Sequence, residues 1–267
     1  MPSTVWDPQQ YATFAGHRDR PFVDLTSRIG AEAPAVVVDL GCGNGPLTLG
    51  LAARWPNARV IGVDSSAEMV ARATELDAEG RVEWVQADLA TWRPDSAVDV
   101  IVTNAALQWV PDHLTLLPGL LEYLAPAGWF ALQVPGNFDS PSHTLLREVA
   151  ARSPRSAELV PRMRGAFTVG EPTAYAQLLA DAGLEPDVWE TIYLQLLDPA
   201  GELESPVLEW TRGTALRPVF EVLTDEGERS RFLAEYAAEL ARAYPRRSFG
   251  TPFPFRRIFA VGHLKEN

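Results

Sequence analysis

The chain has 267 residues, enough for one large α/β domain with insertions or for two small ones. A hydrophobic content of 46% fits an ordinary globular core, no apolar run approaches twenty residues, and a single cysteine excludes an internal disulfide framework. The net charge of −12 disfavours non-specific nucleic-acid binding. Met1-Pro2-Ser3-Thr4-Val5-Trp6-Asp7 has neither a basic region nor an apolar core, so the reading is a cytoplasmic protein with no signal peptide and no membrane contact.

Residues 1–30 read as a polar opening and a helix around 24–29, stopped by Gly30. A first strand over about 35–41, Val36-Val37-Val38-Asp39-Leu40, is apolar enough to be buried on both faces of a parallel sheet. It runs into Gly41-Cys42-Gly43-Asn44-Gly45, and Pro46 suits the first position of a helix. A second strand over about 59–64 ends in Asp64, whose carboxylate can accept hydrogen bonds from a ribose. Further strands are expected at 81–88, 98–104 and 128–134, with helices near 46–55, 66–77 and 113–124. Beyond them, 141–165 reads as inserted helix and 171–183 as a crossover helix stopped by Gly183. Strand 187–196, helical residues 203–244 and a last strand 257–263 complete the pattern.

This alternation predicts an α/β, Rossmann-like, doubly wound sheet of seven strands with the last one antiparallel, capped by helices from the insertions. A single domain over 1–267 is expected, with its core in about 33–135, 171–197 and 255–265 and its cap in about 1–30, 139–168 and 200–250. Both insertions leave from the carboxyl ends of parallel strands, the edge at which open α/β sheets bind ligands. They are therefore expected to cover the site like a lid.

The glycines fall as G-x-G-x-G at Gly41, Gly43 and Gly45, and Pro46 stands where a dinucleotide fingerprint wants its third glycine. That speaks against a nicotinamide oxidoreductase. The Asp-x-Gly-x-Gly-x-Gly run, with Asp64 at its distance, resembles the first motif of the S-adenosylmethionine-dependent methyltransferases. That resemblance implies S-adenosylmethionine as cofactor, with a ribose diol, an adenine and a zwitterionic amino acid beside a sulfonium to be recognised. Gly41 and Gly43 would let the backbone approach closely. Asp39 would help hold the ammonium, or is a structural strand-end residue. Asp64 would take the ribose hydroxyls. Met69 would pack on adenine or in the core. Asp88 would meet the adenine amino group, Leu89 would give a backbone amide and apolar cover, and Asn104 would face the methionine part. Carboxylates at three strand ends also suit a sulfonium charge.

A longer likeness covers essentially the whole chain. Trp6-Asp7-Pro8, Arg18-Asp19-Arg20-Pro21, Asn104-Ala105-Ala106-Leu107-Gln108-Trp109-Val110, Val134-Pro135-Gly136-Asn137-Phe138, Glu209-Trp210-Thr211-Arg212-Gly213 and Pro254-Phe255-Arg256-Arg257 together resemble the trans-aconitate 2-methyltransferase family. The resemblance implies methyl transfer to a carboxylate oxygen of a small tricarboxylate, giving a monomethyl ester. A carboxylic acid with a reference pKa of about 4 is already an anion at neutral pH, so no general base is needed. The work is positioning: oxygen, methyl carbon and sulfur in line, at roughly 3 Å for the attacking pair, away from water. No catalytic acid–base residue is therefore assigned.

A tricarboxylate needs cations and hydroxyls, and the planar fork of arginine matches a carboxylate. Candidates for this are Arg18, Arg20, Arg217 and Arg257, with Tyr11, Tyr193, Tyr244, His143 and Trp109. The arginines would grip spectator carboxylates, and a polar group such as Tyr11 or His143 would align the reacting one. From Ser205 onward ten basic residues face eight acidic ones, whereas the first 204 residues carry 13 against 27, so the C-terminal portion is where an anion finds most help. The histidines are scattered and predict no metal site. Other readings stay open: another small carboxylate or a carrier-bound malonyl group as acceptor, or a non-catalytic S-adenosylmethionine-binding protein. The oligomeric state is not legible.

Overall fold

The computed structural model describes residues 15–165 and 168–265. Seven strands form one sheet in the order β3-β2-β1-β4-β5-β7-β6. They are β1 (Val36–Leu40), β2 (Arg59–Asp64), β3 (Val82–Gln86), β4 (Val98–Asn104), β5 (Leu124–Pro135), β6 (Leu184–Leu197) and β7 (Thr251–Leu264). The helices, in chain order, are α1 (Ala15–Thr26), α2 (Pro46–Arg54), α3 (Ala67–Leu76), α4 (His113–Leu121), α5 (Pro141–Arg152), α6 (Ser156–Leu159), α7 (Pro172–Asp181), α8 (Pro206–Arg212), α9 (Arg217–Val222) and α10 (Glu226–Ala243). The chain divides into two compact units. One, the sheet unit, comprises Arg18–Pro135, Val169–Thr191 and the chain from Arg257 onward. The other, the helical unit, comprises Gly136–Thr168 and Ile192–Arg256.

In the sheet unit β1 lies between β2 and β4 and pairs parallel with both. A strand covered on both faces needs apolar side chains in succession, and Val37, Val38 and Leu40 are fully buried. Each such side chain contributes roughly 1.5–3 kcal/mol of burial. The Asp99 carboxylate on β4 accepts from the amides of Ala35 and Val36, both at 2.8 Å, and so fixes where β1 starts. β7 runs antiparallel to β5, with Trp129 opposite His263 and Pro135 opposite Arg257. Stacked rings hold this edge: Trp129 on His263 with centroids 4.4 Å apart, and Trp189 on Phe259 at 4.8 Å.

The helical unit has a core of its own, including Leu146, Val149, Trp210, Val219, Phe232 and Leu240. α10 starts at Asp225, whose carboxylate accepts from Glu228 N at 2.8 Å, and its first turn is acidic, as the helix dipole favours. α10 is tied to α5 at one buried residue. Tyr236 Oη donates to Ser142 O, and Tyr244 Oη accepts from Ser142 N at 3.0 Å.

Several element bounds differ from expectation, each for a local reason. The first helix spans Ala15–Thr26 and carries Pro21 inside it, rather than covering 24–29. The expected helical stretch 203–244 is three helices, because Pro206 and Pro218 each sit where a helix starts. β5 begins at Leu124, four residues early, across a register shift opposite Val98 and Val100. β7 begins at Thr251 rather than 257, with Pro252 and Pro254 at alternate positions, so both missing donors lie on the same side of the strand. Among the described residues no helix is long and apolar enough to cross a membrane.

Candidate functional site

The turn after β1 is built from left-handed backbone. Gly41, Gly43 and Gly45 have φ of 81°, 57° and 92°, values that glycine adopts without a Cβ clash. A Cβ on Gly41 would lie 2.2 Å from the Cβ of Ala106, so the turns after β1 and β4 meet there with no spare room. At Gly43, by contrast, a Cβ would meet nothing within 4 Å. This is the open side of the turn.

Asp64 organises this edge. Its Oδ2 accepts from Gly43 N at 2.9 Å, its Oδ1 accepts from Ser66 N at 2.9 Å, and its backbone carbonyl accepts from Ala87 N. One residue thus ties the glycine turn to the starts of α3 and of the turn after β3. Met69 stands in the first turn of α3, where its amide donates to Ser66 Oγ. Asp88 is exposed and Leu89 half-buried, and the Asp88 carboxylate accepts from Ala90 N at 2.9 Å.

Asp39 is buried, and its Oδ2 accepts from Thr48 Oγ1 at 2.6 Å. Burial pushes its carboxyl up to about 6; the Thr48 hydrogen bond opposes this and the Asp64 charge adds to it. Burial and the same two carboxylates also push the Cys42 thiol up, so Cys42 fills space rather than reacting. Asn104 ends β4 opposite Gln133 of β5. Its Oδ1, like Gln108 Oε1, is buried without a hydrogen-bond partner. Gln108 Nε2 donates to the carbonyl of Ala105, a residue held at a φ of 53°.

Asp39, Asp64, Asn104 Oδ1 and Gln108 Oε1 make this edge rich in acceptors. Such a set fits S-adenosylmethionine, whose amino-acid end brings an ammonium and whose sulfur is positive. All eight residues expected at a cofactor lie in the sheet unit, and a hydrogen bond joins Gly43 directly to Asp64.

The nine residues expected at an acceptor divide between the units. Tyr11 and the side chain of Arg18 lie outside the described residues. Arg20 is exposed on α1, 3.9 Å from Asp24, and Trp109 is exposed in a short 3-10 turn after β4. Arg257 is buried on β7, where its Nη1 donates to Gln133 Oε1 at 3.0 Å. His143, Tyr193, Arg217 and Tyr244 belong to the helical unit. Tyr193 is buried on β6, and Tyr244 is committed to Ser142 N.

Two arginines not expected from sequence join His143 and Arg217. Arg147 lies one turn after His143 on α5, and Arg164 follows the 3-10 turn Val160–Arg162. Burial, with the neighbouring Arg217 charge, lowers Arg164 to about 10, so it remains a cation at neutral pH. Burial, and then the charges of Arg164 and Arg147, hold the His143 imidazole down to about 3, so it is neutral. Among the described residues no group of three or more His, Cys, Asp or Glu side chains could hold a metal ion.

Fold and glycine-turn geometry together define a Rossmann-like methyltransferase. A family model described as a methyltransferase domain matches residues 14–188. A solved structure of the YcgJ protein from Bacillus subtilis superposes with a TM-score of 0.60 at 17% identity, covering 93% of this chain and 100% of that one. A phosphoethanolamine N-methyltransferase 2 from Haemonchus contortus, solved with S-adenosyl-L-methionine, gives 0.54 at 16% identity over 93% of this chain and 53% of that one. Both are likenesses of fold.

Full-length relatives narrow the class. A trans-aconitate 2-methyltransferase of Rhodococcus jostii is 51% identical over 98% of this chain and 100% of its own length. One of Streptomyces coelicolor is 46% identical over 100% of this chain and 89% of its own. One of Mycobacterium tuberculosis is 48% identical over 97% of both. The chain belongs to the methyltransferase family, within the group whose relatives carry the name trans-aconitate 2-methyltransferase.

Proposed function

We propose that this protein transfers a methyl group from S-adenosylmethionine to a carboxylate oxygen of trans-aconitate, forming a monomethyl ester. The observation that carries this reading is identity of 46–51% with trans-aconitate 2-methyltransferases over 98–100% of the chain, so both units are matched and not the sheet alone. When bound, S-adenosylmethionine supplies a methyl group on a positively charged sulfur. The chain's own residues hold and orient. Asp64 takes the ribose hydroxyls on the lone pairs that Gly43 N and Ser66 N leave over. Asp39, Asn104 and the turn at Gly41 and Gly43 receive the amino-acid end. Met69, Asp88 and Leu89 border the adenine.

On the acceptor side, Arg217 and Arg257 supply charge, and Arg20, Trp109, Tyr193 and Tyr244 are the remaining described candidates. The acceptor carboxylate is ionised at neutral pH and carries its own nucleophilic lone pair. No side chain has to remove a proton, and the neutral, weakly basic His143 agrees with that. The same proposal makes the enzyme cytoplasmic, single-domain in the sense of one sheet with helical insertions, and active on a small molecule rather than a nucleic acid. The net charge of −12 supports the last point.

A methyl-transfer assay with labelled S-adenosylmethionine tests it, against trans-aconitate, cis-aconitate, isocitrate and malonyl carrier protein. Base-labile label on trans-aconitate is the expected result. Label on the carrier protein alone would replace the acceptor, and label on none, with cofactor bound, would remove it.

A further inference from the structure

α5 places His143, Leu146 and Arg147 on one face, at i, i+3 and i+4. With Met163 and Arg164 they line a small cavity inside the helical unit, closed on another side by Ala215 and Pro218. Its cations are fixed rather than loose. Arg147 Nη1 donates to the carbonyls of Phe138 at 2.8 Å and Arg164 at 3.0 Å, and its other end lies 3.9 Å from the exposed Asp139. The Arg164 guanidinium lies over the Phe138 ring at 5.7 Å and reaches Thr214 O at 3.5 Å. Phe138 is itself buried and meets His143 edge-on at 5.2 Å. Arg217 adds a third positive charge near Arg164.

The protons around His143 can be followed bond by bond. Ser140 Oγ donates to Asn137 O at 2.6 Å, so in its contact with Ser142 Oγ it accepts. Ser142 therefore spends its hydroxyl proton on Ser140, and at 3.3 Å its oxygen accepts from His143 Nδ1–H. The remaining nitrogen, Nε2, carries a lone pair. A neutral imidazole with its proton on Nδ1 offers a carboxylate nothing through Nε2. The positive charge in this cavity therefore comes from the arginines alone, and His143 does not align a carboxylate as a donor.

We propose that this cavity is the subsite for one spectator carboxylate of the acceptor, gripped by Arg164. Arg147 acts as a positioning residue through its bond to the Arg164 carbonyl, and His143 acts as a neutral wall. The cavity is too small to take a whole tricarboxylate, so a single group of the acceptor is what would enter it. A planar guanidinium held by an aromatic face and a carbonyl is preorganised to form paired hydrogen bonds with a carboxylate. This inference rests on the carboxylate-methyltransferase reading above.

Steady-state kinetics on purified wild type, Arg164→Lys and Arg164→Met test it, with trans-aconitate and with dicarboxylates that each lack one of its carboxylates. Wild-type turnover of trans-aconitate tests the underlying reading, and the variants then test the subsite. Arg164→Met is expected to raise KM for trans-aconitate about a hundredfold, with kcat changed far less and S-adenosylhomocysteine affinity kept within about twofold. Arg164→Lys should recover part of the loss, and one dicarboxylate should be insensitive to the substitution because it lacks the gripped group. Folded variants with unchanged KM for trans-aconitate would overturn the subsite. So would an equal KM rise for every dicarboxylate, which would give Arg164 a structural role.

Discussion

At and just beyond the carboxyl ends of β1, β2 and β4 in the sheet unit, side-chain acceptors gather: the carboxylates of Asp39 and Asp64, and the amide oxygens of Asn104 and Gln108. In the helical unit, the cavity beside α5 is bordered by donors, Arg147 and Arg164, with Arg217 near. A methyl donor bearing an ammonium and a sulfonium fits the first set, and a polycarboxylate fits the second. Each region destabilises itself in a way its partner molecule would relieve. Asp39 sits beside another carboxylate, and Arg164 sits beside another guanidinium. On the proposed function, opposite local charge sorts donor from acceptor before any shape is considered.

Removing the acceptor character at Asp64 should have the largest effect. Asp64→Asn loses a charge-assisted bond from Gly43 N or Ser66 N and, on the proposed function, the ribose contact, so S-adenosylhomocysteine affinity should fall about a hundredfold or more by calorimetry. Gly41→Ala comes next. Its Cβ would strike Ala106 at 2.2 Å on a backbone with φ of 81°, and an unfolding loss of roughly 2–4 kcal/mol is expected by urea titration.

Asp39→Asn should sharpen the comparison by separating stability from binding. The folded-state pKa of about 6 lies above the reference 3.8, so the native state binds more protons than the unfolded state between those values. Stability without cofactor therefore falls as pH rises from about 4 to 6 and stays lower above that. The Asp39→Asn side chain keeps an acceptor for Thr48 and carries no charge, so the cofactor-free protein should gain roughly 1–2 kcal/mol at pH 7.5 while cofactor affinity drops. A variant that gains affinity would contradict the acceptor role. Wild-type affinity should also rise as pH passes up through about 6, and that dependence should vanish in the variant.

The smallest effect concerns the helical unit. Asp198 accepts from Arg246 Nη1 at 2.8 Å and from Glu202 N and Leu203 N, and the Arg246 bond chiefly holds it down to about 2. Its contribution is complete above the unfolded value near 4 and is lost as pH falls toward 2. Asp198→Asn should lower the midpoint of thermal unfolding by a few degrees at pH 7 and leave it nearly unchanged near pH 2.

The sheet unit is legible in sequence because its rules are local. Continuous Val and Ile runs, a glycine turn and a proline at a helix start fix β1 to α2, and an acidic residue ends β2 about twenty positions on. The acceptor side is legible only in part, since arginines are common and nothing in their spacing says which are buried. Counting charge along the chain points to the C-terminal portion. Arg147 and Arg164 instead lie in the portion where acidic residues dominate, and tertiary packing brings Arg164 beside Arg217. Gln133 does leave a signal, a polar residue inside the apolar run Phe130-Ala131-Leu132-Gln133-Val134. A buried amide oxygen there calls for a donor, and Gln133 Oε1 accepts from Arg257.

The most direct measurement is a paired calorimetric titration of wild type, Asp64→Asn and Arg164→Met. S-adenosylhomocysteine probes the acceptor-rich edge, and propane-1,2,3-tricarboxylate, a saturated relative of trans-aconitate, probes the arginine cavity. Asp64→Asn should lose the nucleoside ligand, whereas Arg164→Met should lose the tricarboxylate and retain the nucleoside within about twofold. Arg164→Met weakening the nucleoside ligand as much as the tricarboxylate, or neither, would contradict a division of labour by charge.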